Sequence, residues 1–442
     1  MSVSASSGVS HSPTSNSLDP SVSAGTASSG SSNAADRPRW VDKNNNGKID
    51  IEVDFTSGAG DLFNKHGFKE YREFTPLQQQ ELLAQMHEIS LEANVEFHLK
   101  GTIDNPDGKV KFGNFAPQVG KRNPVEVFSP AHSDGPVEAY VRADADNLNP
   151  SASNKGGNAL ARALLQALGL PVSNEDSQGY SILGRQPETA TGHDFKGKYA
   201  TRPQIKDVEA LVKKFGQNFD YESIVSHVNH LGKEGKAVTM TIGSGSLEVD
   251  EDGEERYTHD TINAAGDTND QQINLKPGTF SSVGGFKNNV AITSTTDVED
   301  VITGAGTNRV IANAVSNKIE LGSGANTVVY ENISDSSSEK PDQIVGFKSG
   351  IDKVDVSAFY SREKFVDAEN PRLILDRKEN GETWLRCWTN HSAENKDRPD
   401  FSLRVDGARS SDIMTGPHIL TILSGGIPDV KERTTWYGKG PN

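Results

Sequence analysis

Between residues 75 and 94 apolar side chains recur at helical spacing: Leu82, Leu83, Met86, Ile89 and Ala93. Thr75 is placed to cap this helix, Pro76 suits its first position, and Gln78 would complete a capping box. A second stripe predicts a helix over about 156–169: Leu160, Ala163, Leu164, Ala167 and Leu168, closed by Gly169. A third helix is expected from about Thr201 to Phe215. Elsewhere in this half the period falls to two. Ile49, Ile51, Val53 and Phe55 alternate with acids, and Val110/Phe112 and Val137/Ala139/Val141 alternate in the same way. Residues 37–58 read as a hairpin or strand-loop-strand, turning through Asn46-Gly47.

After Gln217 the texture changes. Glycine, asparagine, aspartate and threonine dominate, and a nine-residue period occupies 301–329, with units Thr303–Ile311, Ala312–Glu320 and Leu321–Val329. Position eight is apolar each time (Val310, Ile319, Val328), and position six is Asn308, Asn317 and Asn326. A short period of turn residues followed by an apolar strand residue indicates a parallel β-roll, whose turns can hold calcium.

Composition narrows the reading. The formal charge of −16 removes the basic surface that nucleic acid needs. One cysteine, Cys387, allows no internal disulfide and has no local nucleophile signature, so it reads as a small buried hydrophobe. No apolar run approaches the ~20 residues of a membrane span. Fourteen of residues 1–36 are serine, and no lysine or arginine precedes Arg37, a composition expected to stay disordered. The first residues lack the basic and apolar regions of a cleavable secretory signal. The tail is similar to the unstructured export signals of type III effectors.

Several stretches together resemble the serralysins, zinc proteases of the metzincin class that end in a calcium-binding RTX-like β-roll. They are Trp40–Phe55, His193–Gly216, Gly284–Asn308 and Asp335–Phe359. The resemblance implies an α+β metzincin-like domain over 37–218, then an all-β parallel roll or sandwich over 219–415 and an extension over 416–442. It also implies secretion, by a type I or type III-like route without a cleavable signal.

The serralysin catalytic helix carries HExxHxxGxxH, in which three histidines hold zinc and the glutamate activates water. The matching stretch here runs from Arg162 to Val172. On this resemblance the ligand positions are Arg162, Gln166 and Val172, and the general-base position is Ala163. Leu183 stands for the family's turn methionine and Arg185 for the tyrosine behind it. Arginine has no lone pair for a metal, and alanine and valine can neither coordinate nor accept a proton. Zinc is therefore not expected, and the chain reads as a pseudoprotease.

Two other histidine pairs are incomplete as zinc motifs: His87 lacks its second histidine, and His227/His230 lack a third partner. Calcium is the cation still expected, at fewer sites than in the family. Asp42, Asn44, Asn46 and Asp50 sit at calcium-loop spacing, with Val53 where a bidentate glutamate belongs. In the roll, asparagine replaces the charged aspartate of position six, which leaves Asn308 and Asn326 as weak ligands beside Asp342 and Asp352.

Three functions follow from the sequence. One is an exported, inactive effector or binding protein, holding a host protein or an extended peptide in the former substrate cleft. The second is a calcium-dependent protease with displaced ligands. The third is a secreted structural β-roll.

Overall fold

A computed structural model describes residues 40–56, 58–119, 123–130, 135–218, 225–243, 248–249, 255–256, 259–360, 372–388, 398–415 and 423–425. The Ser-rich tail and most of 416–442 lie outside these residues.

The first half is built on β1 (Ile49–Asp54), α1 (Asp61–Lys65), α2 (Pro76–Glu92), β2 (Val95–Leu99), β3 (Gly108–Phe115), β4 (Val125–Phe128) and β5 (Val137–Arg142). After them come α3 (Ala145–Leu148), α4 (Lys155–Ala167) and α5 (Ile205–Phe215). The strands form one sheet in the order β2-β1-β3-β5-β4. All its pairs are parallel except β4 against β5. Among the described residues the hairpin expected over 37–58 does not form. β1 pairs in parallel with β2 and β3, so the Asn46-Gly47 turn leads into a central strand. Alternation identified the strand, but period two carries no information about its partner.

Helix α2 starts where expected. The Thr75 hydroxyl accepts from Gln78 N, and the Gln78 side chain returns to Thr75 N at 2.9 Å. Its stripe is buried except for Leu83, which faces solvent. α4 is buried almost all round, with Ala159, Ala161 and Leu165 joining the expected stripe. Gly169 follows it at φ +87°, a left-handed conformation that suits glycine. α5 begins four residues later than expected because Gln204 and Asp207 form its capping box after Pro203.

The second half is all sheet. Strands Thr261–Asn263, Asp300–Ile302, Lys318–Glu320 and Asp342–Val345 stack in parallel in one sheet. Strands Gln271–Asn274, Asn308–Ile311, Asn326–Val329 and Lys353–Asp355 stack in parallel in a second. Successive nine-residue units therefore alternate between sheets. Val310 lies over Val328 and Val354 in one sheet, and Val301 over Ile319 and Ile344 in the other. These residues are fully or almost fully buried and form a core distinct from that of the first half. Gly324 is obligatory at its turn, since a Cβ there would lie 2.0 Å from Gly306 O of the neighbouring rung. The roll ends in an antiparallel cap of Arg372–Arg377, Thr383–Trp388 and Phe401–Val405.

The halves are joined by short contacts. Asp194 and Lys287 exchange backbone hydrogen bonds at 3.1 Å, and Tyr180 and His193 pack edge-on against Phe280.

Candidate functional site

Three of the five singled-out positions lie on α4. Ala163 is fully buried in the core. Arg162 is half-buried, and its Nη1 donates to the main-chain oxygens of Ile182 and, at 3.2 Å, Gly184. Gln166 folds back along its own helix, donating through Nε2 to Arg162 O at 3.0 Å. Val172 packs on the edge of the same core, Leu183 is buried beneath it, and Arg185 points to solvent.

The Arg162 guanidinium thus clamps α4 to the 182–184 turn. The opposite side of that turn is held by Asp207 in the first turn of α5. Its Oδ1 accepts from Ser181 Oγ at 2.6 Å, and its Oδ2 from Ile182 N at 2.7 Å and Gln204 N at 2.9 Å. Burial raises the Asp207 pKa to about 6, against the pull of these bonds and of the Arg162 charge. Burial also lowers the Arg162 pKa, with Asp207 opposing and Arg185 adding to the fall. Sequence reasoning missed Asp207. Its signal was present in Gln204-x-x-Asp207, a capping pattern just before an apolar stripe.

A cavity of 470 Å³ lies elsewhere, lined among others by Glu81, Glu88, Glu92, Arg202, His230 and Lys236. None of the five positions on or near α4 reaches it. Glu92 at its wall is half-buried, with its Oε2 turned inward. Burial raises its pKa to about 8, with Glu88 and Asp260 adding to the rise.

The calcium candidates separate into three places. In the 42–50 loop the oxygens are used internally. Asp42 accepts from Asn46 N and Gly47 N, Asn44 from Asn46 N, and Asn46 from Lys48 N, at 2.9–3.3 Å. The amides of Asn44 and Asn46 turn toward Asp50 Oδ2, at 2.9 and 3.0 Å. In the roll, Asn308, Asn326 and Asp352 come together. Asn308 Nδ2 donates to Gly304 O and Gly306 O at 2.9 Å and to Asn326 Oδ1 at 2.8 Å. Asn326 Nδ2 donates to Gly324 O at 2.9 Å and to Asp352 Oδ1 at 3.0 Å. The Lys348 ammonium closes the series on Gly322 O at 2.7 Å, while the Lys348 backbone N–H donates to Asp352 Oδ2 at 2.7 Å. Asp342 is apart, in the other sheet, where it accepts from Asn317 N at 2.9 Å. Burial pushes its pKa well above the carboxylate range. Asn317 donates through Nδ2 to Val298 O, Glu299 O and Asn313 Oδ1 at 2.9–3.1 Å.

Of the remaining candidates, His87 is exposed on α2 and Cys387 is fully buried. Among the described residues no helix is long and apolar enough to cross a membrane.

Residues 255–413 match the family described as Peptidase M10 serralysin C terminal. The chain is 28% identical over 372 residues to Metallopeptidase AprA of Pseudomonas marginalis, covering 73% of this chain and 76% of that protein. It is 26% identical over 370 residues to Metalloprotease AprA of Pseudomonas entomophila, covering 73% and 75%. A Serralysin of Photorhabdus luminescens is 31% identical over 214 residues, 42% of each chain. The matched region coincides with the stacked parallel strands, and the longer alignments reach well into the α/β half. The chain is thus similar to the serralysins over most of its length, and its residues 255–413 match their C-terminal domain.

Proposed function

We propose that this chain is a catalytically inactive serralysin homologue that is exported and acts by binding. The observation that carries the reading is the Arg162 side chain. The guanidinium at the first ligand position is a permanent cation with donors only, and it is committed to the carbonyls of Ile182 and Gly184. The next ligand position, Gln166, is folded onto its own helix, and the general-base position is a buried alanine. Zinc needs lone pairs converging at about 2.0–2.3 Å. The side chains at the matching positions are N–H donors, an alanine and a valine, and the Asp207 carboxylate at the turn is already taken by Ser181 Oγ, Ile182 N and Gln204 N, so the residues do not fit zinc.

The binding surface in this reading is the edge of β4, whose pairing among the described residues is with β5 alone. An extended peptide could add there as a further strand, gaining main-chain hydrogen bonds. For the roll, the same reading holds that calcium is needed at fewer sites than in the family, because amide donors face the turn carbonyls.

The relatives named metallopeptidases favour a second reading, a protease with other ligands. One experiment separates the two. The full chain, supplied with zinc and calcium, is incubated with a library of unstructured peptides and read by mass spectrometry. No cleavage above a blank is expected. Cleavage that a chelator stops would sink the proposal.

A further inference from the structure

The calcium-like loop at 42–50 turns amide nitrogens toward one oxygen of its last carboxylate, Asp50, and leaves the other oxygen facing His98. Asp50 sits on β1 opposite Glu96 on β2, and Glu52 sits opposite His98. With side chains alternating between faces, Asp50, Glu96 and His98 project on one side of the strand pair. The other side carries Ile49, Ile51 and Val53 into the core. His98 Nε2 lies 2.7 Å from Asp50 Oδ1. One ligand atom from each of Asp50, Glu96 and His98 lies within 4.8 Å of the others. Among the described residues this is the group of three His, Cys, Asp or Glu side chains drawn so close.

We propose that Asp50, Glu96 and His98 form a binding site for a zinc-class divalent ion on the face of β1 and β2 opposite the core.

The donor set suits such an ion. One imidazole and two carboxylates match zinc and its neighbours, whereas calcium takes six to eight oxygens and gains little from a ring nitrogen. The distances are within reach. Ligands about 2.0–2.2 Å from a tetrahedral ion stand roughly 3.4 Å apart. His98 and Asp50 must open slightly, and the exposed Glu96 must swing in. The supporting contacts are in place before any ion arrives. Asp50 is 3% exposed, and its Oδ2 is held by the Asn44 and Asn46 amides, which turns Oδ1 toward His98. Its backbone N–H is anchored to Asp107 Oδ2 at 2.9 Å. Contacts of this kind orient a ligating carboxylate and typically change metal affinity by about 10–100-fold when removed. A divalent ion would take the place of the His98–Asp50 hydrogen bond.

The site bears on any metal analysis of this chain. Bound zinc would not by itself report a protease, because these residues are not those of α4 or the 182–184 turn. The proposal is independent of the non-catalytic reading.

The test uses the full chain, freed of metal with a chelator and titrated with zinc by calorimetry. About one zinc per chain is expected. His98→Ala should abolish binding, and Glu96→Gln, an exposed substitution that leaves the core untouched, should weaken it about tenfold or more. Asn46→Ala should weaken it less, and Gln166→Ala should leave it unchanged. Calcium should not displace the zinc. Failure of the native chain to bind, or equal binding by His98→Ala and Glu96→Gln, would overturn the site. Cleavage of peptides by His98→Ala would strike the non-catalytic reading and leave this proposal standing.

Discussion

Two regions where the sequence raised the question of a metal both hold nitrogen donors, but in different ways. At the 182–184 turn a single guanidinium bonds two carbonyls, and a buried acid, Asp207, supports the turn from the far side. In the roll, neutral amides repeat from rung to rung, and one ammonium, Lys348, closes the series. A charge taken out of water needs a partner, so the first arrangement concentrates its stability in a few atoms. Amides carry no net charge, so the second spreads a similar task over several rungs. Solenoid-like stacks distribute stability between neighbours in this way.

The comparison can be broken most directly at Asp207. Asp207→Ala leaves Ser181 Oγ, Ile182 N and Gln204 N without their acceptor and removes the nearby counter-charge of Arg162. The expected cost is about 3–5 kcal/mol, read from the urea midpoint. A cost under about 1 kcal/mol would mean that the turn does not depend on this acid.

Asn326→Ala should cost about 2–3 kcal/mol, since it strands the Gly324 carbonyl and one bond to Asp352. Asn326→Asp sharpens the contrast. It aims a carboxylate at the same carbonyls and at Asp352, so it should destabilise the chain in chelator and regain stability with calcium. The native chain should show little difference between the two conditions by calorimetry. A large native calcium shift would place cations, not amides, at the turns.

Glu92 tests what happens to an acid turned inward beside two other acids, Glu88 and Asp260. Its folded pKa of about 8 stands above the ordinary value of 4.5. Its contribution to stability is therefore fully present below about pH 4.5 and is lost as pH rises to about 8, at about 1.4 kcal/mol per pH unit for one proton. Glu92→Gln should remove that slope and gain stability most at pH 8. An unchanged pH profile would refute the assignment. The smallest effect is expected at Arg185, which is exposed: Arg185→Ala should stay within about 0.5 kcal/mol.

Much of the fold was legible because the relevant signals are local. The capping box of Thr75 and Gln78, the stripe of α4 and the apolar eighth positions of the roll each follow from spacing within a few residues. Partners were not legible. Alternation at Ile49–Phe55 could not say whether β1 turns back on its neighbour or lies between β2 and β3. The nine-residue period could not say that successive units fall in different sheets. The candidate site divides in the same way. The residue types at Arg162, Ala163 and Gln166 were plain, but the carbonyls that receive Arg162 lie twenty or more residues away. His98 reaches Asp50 across 48 residues, which no local spacing could reveal.

The spacing of the rungs also sets an order in time. Asn308 meets Asn326 across 18 residues, whereas Asp50 meets Asp107 across 57 and Arg202 meets Glu81 across 121. Closing a longer loop costs more entropy, and chains rich in short-range contacts fold faster. Between Asp300 and Val329 successive rungs of each sheet add across 18 residues, a span that suits growth by propagation. The α/β half has no such ladder to climb and must close its long loops together. The 300–329 rungs are therefore expected to form early, with the Asp194–Lys287 junction, 93 residues apart in sequence, closing later.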